Sequence, residues 1–166
     1  QKLIDSGKRR IAHFRGGYIS QVSIDRFIGY QKALEKNEIT FDKDLILSIE
    51  KGTSEDAELV MQEMIDKRID FDAVFAIDDK TASGVIKCLS KNNFKIPEEV
   101  AVVGFSNAEY SKYLTPSLSS FDQSSEQFGR EIIKTFIKEE EIIKTNTEYN
   151  FSQVKIPAYF VRRESF

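Results

Sequence analysis

Apolar residues fall along this chain in two alternating rhythms, short unbroken runs and stripes at helical spacing. The run RRIAHF at 9–14, ended by Gly16-Gly17, predicts a strand. Residues 23–36 carry Phe27, Ile28, Tyr30, Ala33 and Leu34 with charges between them, which predicts a helix. LILSI at 45–49 predicts a second strand. Ala57, Val60, Met61, Met64 and Ile65 then form one stripe of a helix over 54–67, with acids in its first turn. DAVFAI at 72–77 barely alternates, as in a strand buried on both faces. Ala82, Val85, Ile86 and Leu89 predict a helix over 81–91, and VAVVGF at 100–105 predicts another buried strand. Residues 118–121 are expected to be extended. Phe128, Ile132, Ile133, Phe136 and Ile137 mark a long amphipathic helix over 125–140. A polar stretch at 144–150 follows, and a last strand over 154–161 is interrupted by Pro157. At the start, residues 1–7 have the pattern of a helix end stopped by Gly7.

Strands alternating with helices imply an α/β fold with a parallel, doubly wound sheet flanked by helices. The late helix stands apart, set off by Ser119-Ser120 and the 144–150 stretch. It fits a second lobe that the chain enters near 119–123 and leaves near 156–160.

Composition narrows the function classes. With 40% hydrophobic and 31% charged residues the chain is globular, and a net charge of −3 lacks the footprint of a duplex-DNA binder. Cys88 is the only cysteine and His13 the only histidine, so neither a disulfide nor an ordinary zinc site can be assembled. Cys88 is expected to be an inert packing residue, and His13 to have a core or strand-surface role. No nucleotide-binding glycine signature accompanies Gly16-Gly17, no Ser-His-Asp pattern is recognisable, and no cofactor is expected. No membrane span and no signal peptide are expected either.

Six segments, in order and across nearly the whole chain, resemble one family. They are Gly7-Lys8-Arg9-Arg10-Ile11-Ala12; Arg26 to Leu34 with its Gly29-Tyr30; Phe71 to Asp79 with Ala82-Ser83-Gly84; Ile96 to Phe105; Leu114 to Ser120 with Asp122-Gln123; and Val161-Arg162-Arg163-Glu164-Ser165, with Gly129-Arg130 between the last two. The chain resembles the C-terminal part of the effector-sensing module of LacI/GalR-type bacterial transcription regulators. Ser106-Asn107 and the stretch from Ser119 to Gln123 are similar to Bacteroidetes-type members. The resemblance implies a periplasmic-binding-protein-like type I fold, mainly its C-terminal lobe. Residues 1–120 would be that lobe, 121–157 would belong to the N-terminal lobe, and 158–166 would return. A helix-turn-helix headpiece would lie outside this chain.

In an open parallel sheet, ligands sit beyond the carboxyl ends of the strands. That rule nominates the loops at 15–23, 51–54, 78–81 and 106–110. Asp79 is the leading candidate. It is either a helix N-cap or a carboxylate accepting hydroxyl hydrogens from a sugar, and the resemblance implies the second. Asp78 stands where the family usually has Asn, and two carboxylates together would disfavour an anionic effector. Arg26 is either a surface arginine or a fork donating to ligand, again as the resemblance implies. Gln123, on the crossing segment, is a ligand contact or a hinge contact. Asn107 is a turn residue or a polar contact, and Phe105 beside it is expected in the core. Tyr18 is placed to stack on a sugar ring, or is a surface tyrosine. Thr53 stands where many relatives carry a stacking aromatic.

The leading expectation is a non-catalytic sensor that binds a small sugar-like effector. It would act as a homodimer in the cytoplasm and would reach operator DNA only through its headpiece. Phe94 and residues 110–114 are candidates for the pairing surface. A periplasmic sugar-binding protein shares the fold and is the second reading. An enzyme on a doubly wound fold is the third, disfavoured by the lack of a catalytic constellation.

Overall fold

The computed structural model describes residues 1–16, 20–144 and 153–166. In chain order the elements are α1 (Lys2–Asp5), β1 (Ile11–Gly16), α2 (Gln21–Lys36), β2 (Ile46–Ile49), α3 (Ser54–Asp66), β3 (Ala73–Ala76) and α4 (Asp79–Lys91). Then come β4 (Ala101–Phe105), β5 (Ser119–Asp122), α5 (Ser125–Lys144) and β6 (Tyr159–Val161). Short 3-10 turns span Lys43–Leu45 and Glu109–Tyr113.

The six strands form one sheet in the order β2-β1-β3-β4-β5-β6. β1 to β5 run parallel, and β6 pairs antiparallel with β5 through Phe121↔Phe160. The doubly wound expectation holds for the five parallel strands, with one antiparallel strand added at the edge.

Alternation along the strands builds two cores. Ala12, Phe14, Val74, Ala76 and Val102 face α3 and α4, where they meet Met61, Met64, Val85 and Leu89. Ile11, Ala73, Ala101 and Val103 face α1 and α2, where they meet Leu3, Ile4, Tyr30 and Leu34. Burial on both faces is why these strands read as nearly unbroken apolar runs.

The motif residues at the lobe's seams hold backbone in place. The Arg9 and Arg10 amides both donate to the Asp72 carboxylate, at 2.7 and 2.9 Å, which sets β1 against β3. Lys8 donates to the carbonyls of Pro97, Glu98 and Glu99 at 3.1–3.3 Å. At the other end Ser165 Oγ donates to the Val102 carbonyl and accepts from the Ser119 amide.

Several boundaries differ from expectation. α2 begins at Gln21 rather than at 23, because Ser20 caps it by accepting the Ser23 amide. α5 continues four residues past 140, to Lys144. The last strand shrinks from 154–161 to Tyr159–Val161, since proline removes a ladder donor just before it. α5 buries none of its residues, and Phe128, Ile132, Ile133, Phe136 and Ile137 are all at least half exposed. An apolar groove of about 410 Å³ also remains between α1, α2 and the sheet, over Phe75, Val103, Phe105 and Phe121. Phe105 is therefore only half-buried, not a core residue. Cys88 is buried on α4 with its thiol pushed up by burial, consistent with packing.

His13 is fully buried in a stack with Phe75, Tyr30 and Phe27. Its Nδ1 donates to the Phe75 carbonyl at 3.0 Å, while Nε2 has no partner. Burial lowers its pKa from 6.5 to about 4. The unfolded chain therefore holds the extra proton between those two values. Stability is unaffected by this group above pH 6.5, falls as pH drops toward 4, and is reduced by roughly 3 kcal/mol below that. Urea unfolding at neutral and acid pH checks this: His13→Phe should show a smaller acid loss than the parent by about that amount.

Candidate functional site

Because β1 to β4 are parallel, their carboxyl ends share one edge of the sheet, where the nominated loops at 51–54, 78–81 and 106–110 open beside the described end of the fourth at Ser20. A cavity of about 390 Å³ lies there, between the ends of β1, β2 and β3 and the starts of α2 and α4. Its polar lining is Ser20, Arg26, Lys51, Asp78, Lys80 and Thr81.

Arg26 sits on the second turn of α2. Its Nη1 donates to the Ile77 carbonyl at 2.5 Å, and its guanidinium lies 3.9 Å from the centre of the Phe105 ring. The fork is thus held over an aromatic face at the cavity wall, which limits the entropy lost when it binds a ligand.

Asp78 and Asp79, adjacent in sequence, have separate tasks. Asp78 is the N-cap of α4, its Oδ1 accepting the Thr81 amide at 2.7 Å, and it lines the cavity. Asp79 is 1% exposed and points the other way. Its Oδ2 accepts the Ala108 amide at 2.6 Å and the Ser111 hydroxyl at 2.7 Å, and its Oδ1 accepts the Ser120 hydroxyl at 2.5 Å. The cap considered for Asp79 therefore belongs to Asp78. The expectation that both carboxylates charge the cleft is also corrected, since Asp78 alone lines the cavity.

Gln123 is exposed and donates to Ser106 Oγ at 3.1 Å. It lines a smaller cavity of about 230 Å³ with Ser106, Asp122, Ser125 and Phe128. Asn107 has a positive φ of 50°. Its Nδ2 donates to Asp122 at 2.9 Å and its Oδ1 accepts from Arg163 at 2.6 Å, so both ends of the amide hold the loop. The Asn107 contact holds the Asp122 carboxyl below its usual range. Thr53 caps α3, accepting the Asp56 amide at 3.1 Å. Tyr18 lies outside the described residues.

The structure thus brings Arg26 and Asp78 to one cavity and Gln123 to another. It places Asp79, Asn107 and Thr53 in the framework behind them. Lys51, Lys80 and Thr81 line the main cavity without having been singled out. A threonine in the first turn of a helix that follows a buried strand was the one available signal for Thr81. Tyr110, 42% exposed, has its phenol pushed up by burial and then by the charges of Asp79 and Asp78. Among the described residues no cluster of ligands for a metal ion occurs, and no helix is long and apolar enough to cross a membrane.

Comparison with known proteins places this geometry in context. The periplasmic binding protein-like domain family matches residues 1–166. The HTH-type transcriptional regulator CelR of Thermobifida fusca is 31% identical over 137 residues, 82% of this chain and 40% of that protein. The NTD biosynthesis operon regulator NtdR of Bacillus subtilis is 30% identical over 163 residues, 98% of this chain and 48% of that protein. A solved structure of a CelR–cellobiose complex has a TM-score of 0.86 at 28% identity, covering 99% of this chain and 49% of the other. The chain therefore spans less than half the length of each of these relatives.

Proposed function

Because the chain belongs to the periplasmic binding protein-like domain family, and its relatives CelR and NtdR are transcription regulators, we propose that it is the effector-sensing part of a LacI-type transcriptional regulator. The observation that carries this reading is the polar cavity at the carboxyl edge of the sheet, walled by Arg26 and Asp78, on a fold shared with a regulator solved with cellobiose. The effector is a sugar or sugar derivative. The stacked Arg26 fork donates to its hydroxyls or acid groups, and Asp78 accepts from hydroxyls. Asp79, Asn107 and Thr53 hold the loops that present these groups, and Gln123 guards the crossing segment.

Residues 1–120 form one lobe, 121–157 belong to the other, and 158–166 return to the first. The bare apolar face of α5 supports this division, because a soluble monomer seldom leaves such a patch uncovered. Effector binding draws the lobes together, and that closure shifts the DNA-binding headpieces of a cytoplasmic homodimer between two states. The protein has no catalytic role. The regulator relatives favour this reading over a periplasmic sugar-binding protein.

Thermal-shift screening of the full-length protein against sugars, sugar acids, sugar phosphates and nucleosides is the test. A ligand at a hundred times its Kd should add about 2.7 kcal/mol to the native state. The expected result is a rise in Tm with at least one carbohydrate, and its loss in Arg26→Ala. A folded protein that responds to none of them defeats the reading.

A further inference from the structure

We propose that the effector is an anionic carbohydrate, with its carboxylate or phosphate seated on the α2 side of the main cavity. This rests on that cavity being the effector site. Three side chains of its lining are cationic, Arg26, Lys51 and Lys80, against the single carboxylate of Asp78. The ion pairs that join α3 to α4 run between Glu58, Lys87 and Lys91, and neither Lys51 nor Lys80 enters a salt bridge among the described residues.

The three helices that begin at this edge are not equivalent. α3 carries Glu55 and Asp56 in its first turn, and α4 carries Asp79 behind its Asp78 cap, so their positive ends already meet carboxylates. α2, sixteen residues long, has no acid in its first turn, and its cap Ser20 lines the cavity. An anion gains most from a helix N-terminus whose dipole no acid yet offsets.

A second observation points to a ligand independently. Thr81 lines the cavity, is 1% exposed, and its Oγ1 has no hydrogen-bond partner. Buried hydroxyls almost always have one. An oxyanion supplies acceptors to donors of this kind and to the cations beside them. Asp78 faces the same space with one oxygen on the Thr81 amide. It requires hydroxyl donors from the ligand, so an anion without a polyol would meet it as a like charge.

The experiment is calorimetric titration of the full-length protein with four probe classes. These are neutral aldohexoses, their aldonic and uronic acids, their 6-phosphates, and inorganic phosphate. The parent, Thr81→Val, and a Lys51→Met/Lys80→Met double variant are compared. Binding by the acids identifies a carboxylate, and binding by the 6-phosphates identifies a phosphate. In either case affinity should fall about tenfold in both variants. Thr81→Val should melt no lower than the parent, because it removes an unpartnered hydroxyl. If neutral hexoses bind and their anionic derivatives do not, the anion proposal falls while the effector reading stands. If no carbohydrate binds, both fall. Inorganic phosphate binding as tightly as any sugar would mean an adventitious ion only and would overturn the proposal, as would variants that bind like the parent.

Discussion

Asp79→Ala is expected to destabilise the protein by about 3–5 kcal/mol. The buried carboxylate accepts three hydrogen bonds, from the Ala108 amide and the hydroxyls of Ser111 and Ser120. These tie the first turn of α4 to the loop after β4 and to β5. Alanine would leave the buried Ser111 and Ser120 hydroxyls and the part-buried Ala108 amide without their acceptor. Gly104 packs so closely on the carboxylate that a Cβ there would overlap Oδ1. The loop also holds Ser106 and Asn107 at positive φ, 119° and 50°. A serine seldom adopts that conformation without outside restraint, so losing Asp79 should release it. Asp79→Asn should recover most of the stability, because its oxygen can accept from Ala108 and Ser111 while its amide donates to a reoriented Ser120 hydroxyl. Urea unfolding of the three proteins decides the matter. An alanine variant within 1 kcal/mol of the parent would show that Asp79 is not the anchor described.

Two helical glycines should respond to alanine with opposite signs. A Cβ on Gly84 would enter the carbonyl oxygen of Ser54 and lie 2.9 Å from its carbon and 3.0 Å from Ala57 Cβ. α3 and α4 meet at this point, and the backbone of Ser54 is held in place. Its hydroxyl bonds to the Lys80 carbonyl and to Ser83, each at 2.9 Å. Relief therefore requires moving one helix against the other. Gly84→Ala should cost about 2–3 kcal/mol despite the better helix propensity of alanine, and Gly84→Val more. At Gly29 nothing lies within 4 Å of the added carbon, so Gly29→Ala should stabilise by up to about 1 kcal/mol. Thermal melts of the pair test the packing directly, and equal shifts would refute it.

The contrast between these sites shows what the sequence could convey. Burial leaves a periodic trace, so LILSI, DAVFAI and VAVVGF announced the parallel strands, and the stripes of α3 and α4 announced the helices over them. Capping leaves a trace of one residue. Adjacent acids such as Asp78 and Asp79 are equally good candidates until the backbone turns one into the cap and the other inward. Asp79 finds its partners 29, 32 and 41 residues further along, and no local pattern encodes such contacts. Arg26 was legible as a candidate through its motif. The stack on Phe105 that fixes it depends on β4 lying beside β3, which is topology rather than spacing. Lys51 and Lys80 look like any surface lysines until two loops bring them to one cavity.

The pairing of β5 with β6 has one more consequence. Asp122 and Tyr159 are partners across the ladder, so the whole excursion between them leaves and rejoins the sheet at one point. To the sheet it is a closed loop whose ends are already pinned. For a flexible loop pinned in this way, doubling the length costs only about 0.6 kcal/mol. The excursion can therefore change length over evolutionary time while every strand keeps its register. For the sheet this is where a change of length costs least, while the apolar face of α5 sets a separate condition on what the segment can be.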